Sequence, residues 1–150
     1  MMQAPRPRDE AGQTTLMIVG LSVLLMMVIA VVVDASAAYL QRQGLDNVAD
    51  GAALAGADAG AAGEEVYVGG LGARLDLYRQ SAAAGVAEYL GTTRAHERFP
   101  GLTHRVHVDP STRSVVVTVH APLDLPLTVP GAPRRARIGA TGSAVVQTAE

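Results

Sequence analysis

The chain has no cysteine, no tryptophan and no lysine, and a single phenylalanine, Phe99. Without cysteine there is no disulfide framework, no zinc–thiolate cluster and no thiol nucleophile. Without lysine, all 12 basic residues are arginine; against 14 acidic residues they leave a net charge of −2. That balance gives no electrostatic footprint for nucleic acid. Proline is absent between Pro7 and Pro100, so no ring there forces a helix to stop. Aromatics make up 3% of 150 residues although 49% are hydrophobic. An apolar content reached without large anchors has to be concentrated somewhere. Ala, Gly, Val and Arg dominate, and all four have GC-rich codons, which points to a high-GC bacterial genome. The same drift supplies alanine without any structural demand for it.

The concentration lies at Thr14–Val33, TTLMIVGLSVLLMMVIAVVV, which carries no charge. A helix of this length spans roughly 30 Å, the thickness of a bilayer core. It is apolar around its whole circumference, so it is not an amphipathic surface helix. The rest of the chain is too poor in large apolar residues to wrap it. The reading is a transmembrane helix. A cleaved secretory signal is the alternative, with Ala35-Ser36-Ala37 as its small-residue site. The run exceeds an ordinary signal core of about 7–15 residues, and Asp34 intervenes. Arg6 and Arg8 precede the span and Asp34 follows it, which places the N-terminus in the cytoplasm and residues 34–150 outside.

Beyond Val33 the helical period continues. Leu45, Val48, Ala49, Ala52, Ala55, Gly56 and Ala59 fall within one arc; Asp46, Asp50 and Asp58 lie opposite, with Tyr39 and Leu40. The rod would total some 45 residues, roughly 70 Å. Spacings such as Ala52–Gly56 and Gly56–Gly60 permit close helix approach, so this arc is a candidate helix-packing face. Alanine serving only as a helix former accounts for it equally well. Gly60, Gly63, Gly69 and Gly70 suggest a break. A second helix is expected from about Gly72 to Leu90, with Leu71, Leu75, Tyr78, Ala82, Val86 and Tyr89 on its core face; Gly91-Thr92-Thr93 would end it.

The period then changes to two. Thr103–Asp109 and Ser114–His120 flank a turn at Pro110-Ser111-Thr112-Arg113. Setting Val108 opposite Val115 sets Val106 opposite Val117 and His104 opposite Val119. One face is then valine, and the other carries Arg105, His107 and Asp109. Ala121–Pro133 holds four prolines and reads as an extended edge or loop. Arg137–Thr148 supplies a third strand. The fold class is α+β: a long membrane-spanning helix continuing outward, a second amphipathic helix and a small antiparallel sheet. The organisation is 1–13 cytoplasmic leader or tail, 14–33 span, 34–62 outer helix and 63–150 small extracytoplasmic domain.

Candidate chemistry is thin. His104 and His107 point to opposite faces of a strand, and His96-Glu97 lacks a second histidine at helical spacing. No metal or cofactor site follows, and no nucleophile elbow, Walker loop or dinucleotide fingerprint is present. Glu64-Glu65 reads as a solvated pair. Arg134, Arg135 and Arg137 form a small basic cluster, a solvated loop or a contact to anionic lipid or wall polymer. No catalytic constellation is found, so the reading is not an enzyme.

The run Ala11-Gly12-Gln13-Thr14-Thr15-Leu16, the apolar span and then VVVDASAAYLQRQGLDNVADGAALAGADAG resemble the TadE/TadG-like minor pilins of Flp (tight-adherence) pili. The specific part is Tyr39-Leu40-Gln41-Arg42-Gln43 with Leu45-Asp46-Asn47-Val48-Ala49-Asp50-Gly51-Ala52-Ala53-Leu54-Ala55, and the likeness covers residues 11–62 or so. The resemblance implies a pilin-like subunit held in the bacterial membrane. Its partners would be the bilayer, other pilin-like subunits and the assembly machinery. It also implies prepilin-peptidase cleavage at Gly12–Gln13. Met17 occupies the fifth mature position, where type IV pilins carry glutamate, so the usual ion pair with a neighbour's amine has no acid here. The competing readings are a generic single-span protein displaying a small binding domain, and a secreted hydrolase-like enzyme.

Overall fold

The computed structural model describes residues 10–65, 71–109, 111–123, 125–127 and 136–145. Its first element is one unbroken helix, α1, Glu10–Glu65. At about 1.5 Å per residue it is roughly 84 Å long. No proline interrupts it, and its serines do not compete with its backbone. Ser22 Oγ donates to Ile18 C=O and Ser36 Oγ to Val32 C=O, each at 2.8 Å. A hydroxyl satisfied this way can sit on an apolar helix without water. α1 ends at Glu65 and the next helix starts at Leu71, within the Gly60–Gly70 stretch where a break is expected, but Gly60 and Gly63 do not themselves break it. Both glycines are inside α1 because bulk from the next helix fills the space beside them: a Cβ on Gly60 would lie 2.7 Å from Tyr78 Cε2, and one on Gly63 would collide with Ser81. Gly69 and Gly70 lie outside the described residues.

α2, Leu71–Thr92, packs back along α1. Tyr78, Ala82, Val86 and Leu90 are buried on one face and Tyr89 is half-buried; Asp76 and Gln80 are exposed. Leu75 from the expected face is more exposed, and the Leu71 side chain lies outside the described set. The end of α2 satisfies its own carbonyls. Thr93 Oγ1 and Thr93 N–H both donate to Tyr89 C=O, Thr92 Oγ1 donates to Glu88 C=O, and Arg94 turns left-handed at φ 50°. A single-turn helix, α3, Ala95–Arg98, follows and was not foreseen by periodicity. It buries Ala95 and delivers Phe99 into the core against Gly44 of α1.

Strands β1 (Thr103–Asp109), β2 (Ser114–Pro122) and β3 (Arg137–Val145) form one antiparallel sheet in the order β1-β2-β3. The β1–β2 register is the expected one, with Val108 opposite Val115, Val106 opposite Val117 and His104 opposite Val119. β2 is central. Val115, Val117, Val119 and Ala121 are buried on its inner face, beside Ile138, Ala140, Gly142 and Ala144 of β3. Pro122 ends β2 where a missing N–H costs least, and the chain leaves the sheet there. The rest of the expected proline-rich loop is described only at 123 and 125–127, and β3 only to Val145.

The core is therefore a sandwich of α1 and α2 on the sheet. Its α1 share is Leu45, Val48, Ala49, Ala52, Ala53 and Ala57. The sheet comes closest at Gly142, where any side chain would run into the Ala49–Asp50 backbone. Small residues on both sides let a helix backbone rest directly on a strand.

Candidate functional site

α1 carries most of the candidate site residues, and it has two unlike halves. From Gly12 to Val33 every residue except the half-buried Ala30 is exposed. Leu16 is 76% exposed and Met26 71%, whereas Leu45, Val86, Leu90, Val115, Val117 and Val119 are fully buried. This stretch is long and apolar enough to cross a membrane by length and composition. An exposed apolar surface of this size is incompatible with water on every side. Gly12 and Gln13, the candidate cleavage bond, are exposed near the start of α1.

Asp34 is where the environment changes. Its exposure is 9%, against 57% at Val32 and 43% at Val33. Its Oδ1 accepts the backbone N–H of Leu127 at 3.0 Å. About two turns further out, Gln41 Nε2 donates to Pro122 C=O at 3.4 Å. Two points of the proline-rich stretch, Pro122 and Leu127, are thus strapped to α1, one at Gln41 and the other at the last apolar turn. Periodicity gave no hint of either contact. The one available signal was an isolated carboxylate directly after a charge-free run.

The outer half carries the candidate packing face. Leu45, Val48, Ala49, Ala52 and Gly56 are buried, and Ala55 and Ala59 are half-buried. Their neighbours belong to the same chain. A Cβ at Gly56 would meet Val86 of α2 at 2.7 Å and Val115 of β2 at 3.2 Å; one at Gly85 would meet Ala59 at 2.5 Å. Ala53 and Ala57 are also buried there, one step outside the expected arc. The opposite side of α1 is open. Tyr39 (67%), Leu40 (64%) and Leu54 (58%) are exposed among Asn47, Asp50 and Asp58.

The remaining polar groups do not converge. His96 and His104 face each other edge-on with ring centroids 6.4 Å apart, while His107 and His120 lie on the outer sheet face. Among the described residues no group of three or more His, Asp or Glu could hold a metal. Arg137 is exposed at the start of β3; Arg134, Arg135 and the Glu64 and Glu65 side chains lie outside the described set.

The architecture defines a class: an α+β protein whose membrane-competent helix continues without interruption into its own core. The family model described as "Putative Flp pilus-assembly TadE/G-like" matches residues 12–59, so about a third of the chain is similar to that family. Comparison with curated proteins and with solved structures returns no match. The matched stretch covers the apolar half of α1 and most of the half that builds the core.

Proposed function

We propose that this chain is a pilin-like subunit that serves assembly of an Flp/Tad-type pilus, and that its role is structural rather than catalytic. It is a single-span protein of the bacterial membrane, with the residues before Thr14 in the cytoplasm and the α+β domain outside. The carrying observation is that the TadE/G-like match runs through the apolar half of α1 and on past its core residues Leu45–Ala57, so the likeness takes in the span together with the α1 share of the core. The partners are the bilayer, other pilin-like subunits and the assembly machinery. Because α2 and the sheet occupy the inward face of α1, packing between subunits uses the bare span and the outward stripe of Tyr39, Leu40 and Leu54.

Replacing residues 14–33 with an unrelated membrane helix tests this reading. Loss of surface filaments with the protein still in the membrane is the expected result. Full function with a foreign span favours a generic anchored binding domain instead. Processing between Gly12 and Gln13 predicts that mature protein begins at Gln13 on N-terminal sequencing. A start at Ala38 would overturn the anchor.

A further inference from the structure

We infer that Leu125-Pro126-Leu127 is a second membrane contact, a small apolar foot that seats the domain on the lipid surface beside the span. The inference rests on the membrane reading above. Its depth is fixed by the Asp34 bond, which holds Leu127 level with the helical turn where the apolar run ends. The strap descends along α1 between two tethers, Pro122 at Gln41 and Leu127 at Asp34. Seven helical residues separate these levels, about 10 Å. Leu127 is 42% exposed and Pro126 is exposed, and they carry no charge. They lie beside the turn of α1 at which the charge-free run Thr14–Val33 ends.

The backbone chemistry selects lipid as the occupant. Irregular chain enters the hydrocarbon edge most cheaply where its donors are already satisfied. Pro126 has no N–H, and the N–H of Leu127 is taken by Asp34. The tip therefore offers apolar side chains with no orphan donor on either residue. Leucine at the headgroup–acyl boundary gains from burial there.

The native chain has no cysteine, so a Leu127→Cys variant accepts a single environment-sensitive fluorophore. The full chain is reconstituted in phosphatidylcholine–phosphatidylglycerol vesicles, and quenching by lipids with shallow or deep nitroxides is read. Leu24→Cys in mid-span and Leu54→Cys, twenty residues outward from Asp34, are the references. The expected result is a blue shift at 127 with stronger quenching by shallow than deep nitroxides, deep quenching at 24 and none at 54. Quenching at 24 but none at 127 overturns the foot and leaves the span intact. A blue-shifted but unquenched label at 127 assigns the surface to a protein contact and also overturns it. No quenching at 24 sinks the membrane reading itself. Adding Asp34→Ala to Leu127→Cys should weaken quenching at 127; an unchanged value removes the tether from the proposal.

Discussion

At the residue scale, the absence of a side chain is as informative as its presence. Gly142 of β3 rests on the backbone of α1 at Ala49 and Asp50, where nothing can yield except the helix itself. Gly91, near the end of α2, has nothing within 4 Å of where a Cβ would be. Gly142→Ala should destabilise the domain by about 1–3 kcal/mol, the usual cost of overpacking a filled interior. Gly91→Ala should leave it unchanged or raise it by up to about 1 kcal/mol, through reduced freedom of the unfolded chain. Denaturant unfolding of the detergent-solubilised variants, followed by circular dichroism, separates the two. Equal stability for both would mean that α1 does not rest on β3. The sequence offered glycine and alanine at both places; it held no sign of which glycine met a backbone, because that contact joins positions 49 and 142 far apart in the chain.

At the element scale, the β1–β2 hairpin is held by its turn. Asp109 Oδ1 accepts the Ser111 hydroxyl at 2.6 Å and the Ser111 N–H at 2.9 Å, and Arg113 adopts φ 49°. The Tyr78 hydroxyl reaches over from α2 to donate to Arg113 C=O at 3.1 Å. The Ser111 hydroxyl first, and then its backbone N–H, hold the Asp109 carboxyl below the ordinary 3.8. A depressed acid contributes stability that is complete above its unfolded value and is lost as pH falls through the folded value. The turn should therefore loosen only below about pH 3.8, and Asp109→Asn should remove that part of the acid dependence. A carboxyl NMR titration of Asp109 checks the direction; a midpoint at or above the ordinary value contradicts it. The hairpin was the most legible element, since alternation over Thr103–Asp109 and Ser114–His120 leaves one register with Val106, Val108, Val115, Val117 and Val119 on one side. The helices were legible in type but not in extent. Gly60 and Gly63 read as breakers because isolated propensity cannot see Tyr78 and Ser81 filling the space beside them. The single turn of α3 is too short to show a period.

At the scale of the whole molecule, the scarcity of aromatics is met by sharing one helix between two solvents. Among the described residues no buried core residue precedes Asp34, whereas Leu45, Val48, Ala49, Ala52, Ala53 and Ala57 all come from α1. A division at residue 62, where glycines suggest a boundary, would take that whole set away from Tyr78, Val86 and the inner face of β2. A division at residue 34 takes away only the surface suited to lipid. A fragment of residues 34–150 should therefore be soluble, with a cooperative melt and slowly exchanging amides in β2. A fragment of residues 63–150 should show neither, because a sheet and one helix lacking their shared partner leave Val115, Val117 and Val119 uncovered. Size-exclusion chromatography and hydrogen exchange on the two fragments decide it. A folded 63–150 would show that α1 is an appendage. An unfolded 63–150 beside a folded 34–150 would establish that the anchor helix is itself half of the domain, so that force or displacement along the span acts directly on the core.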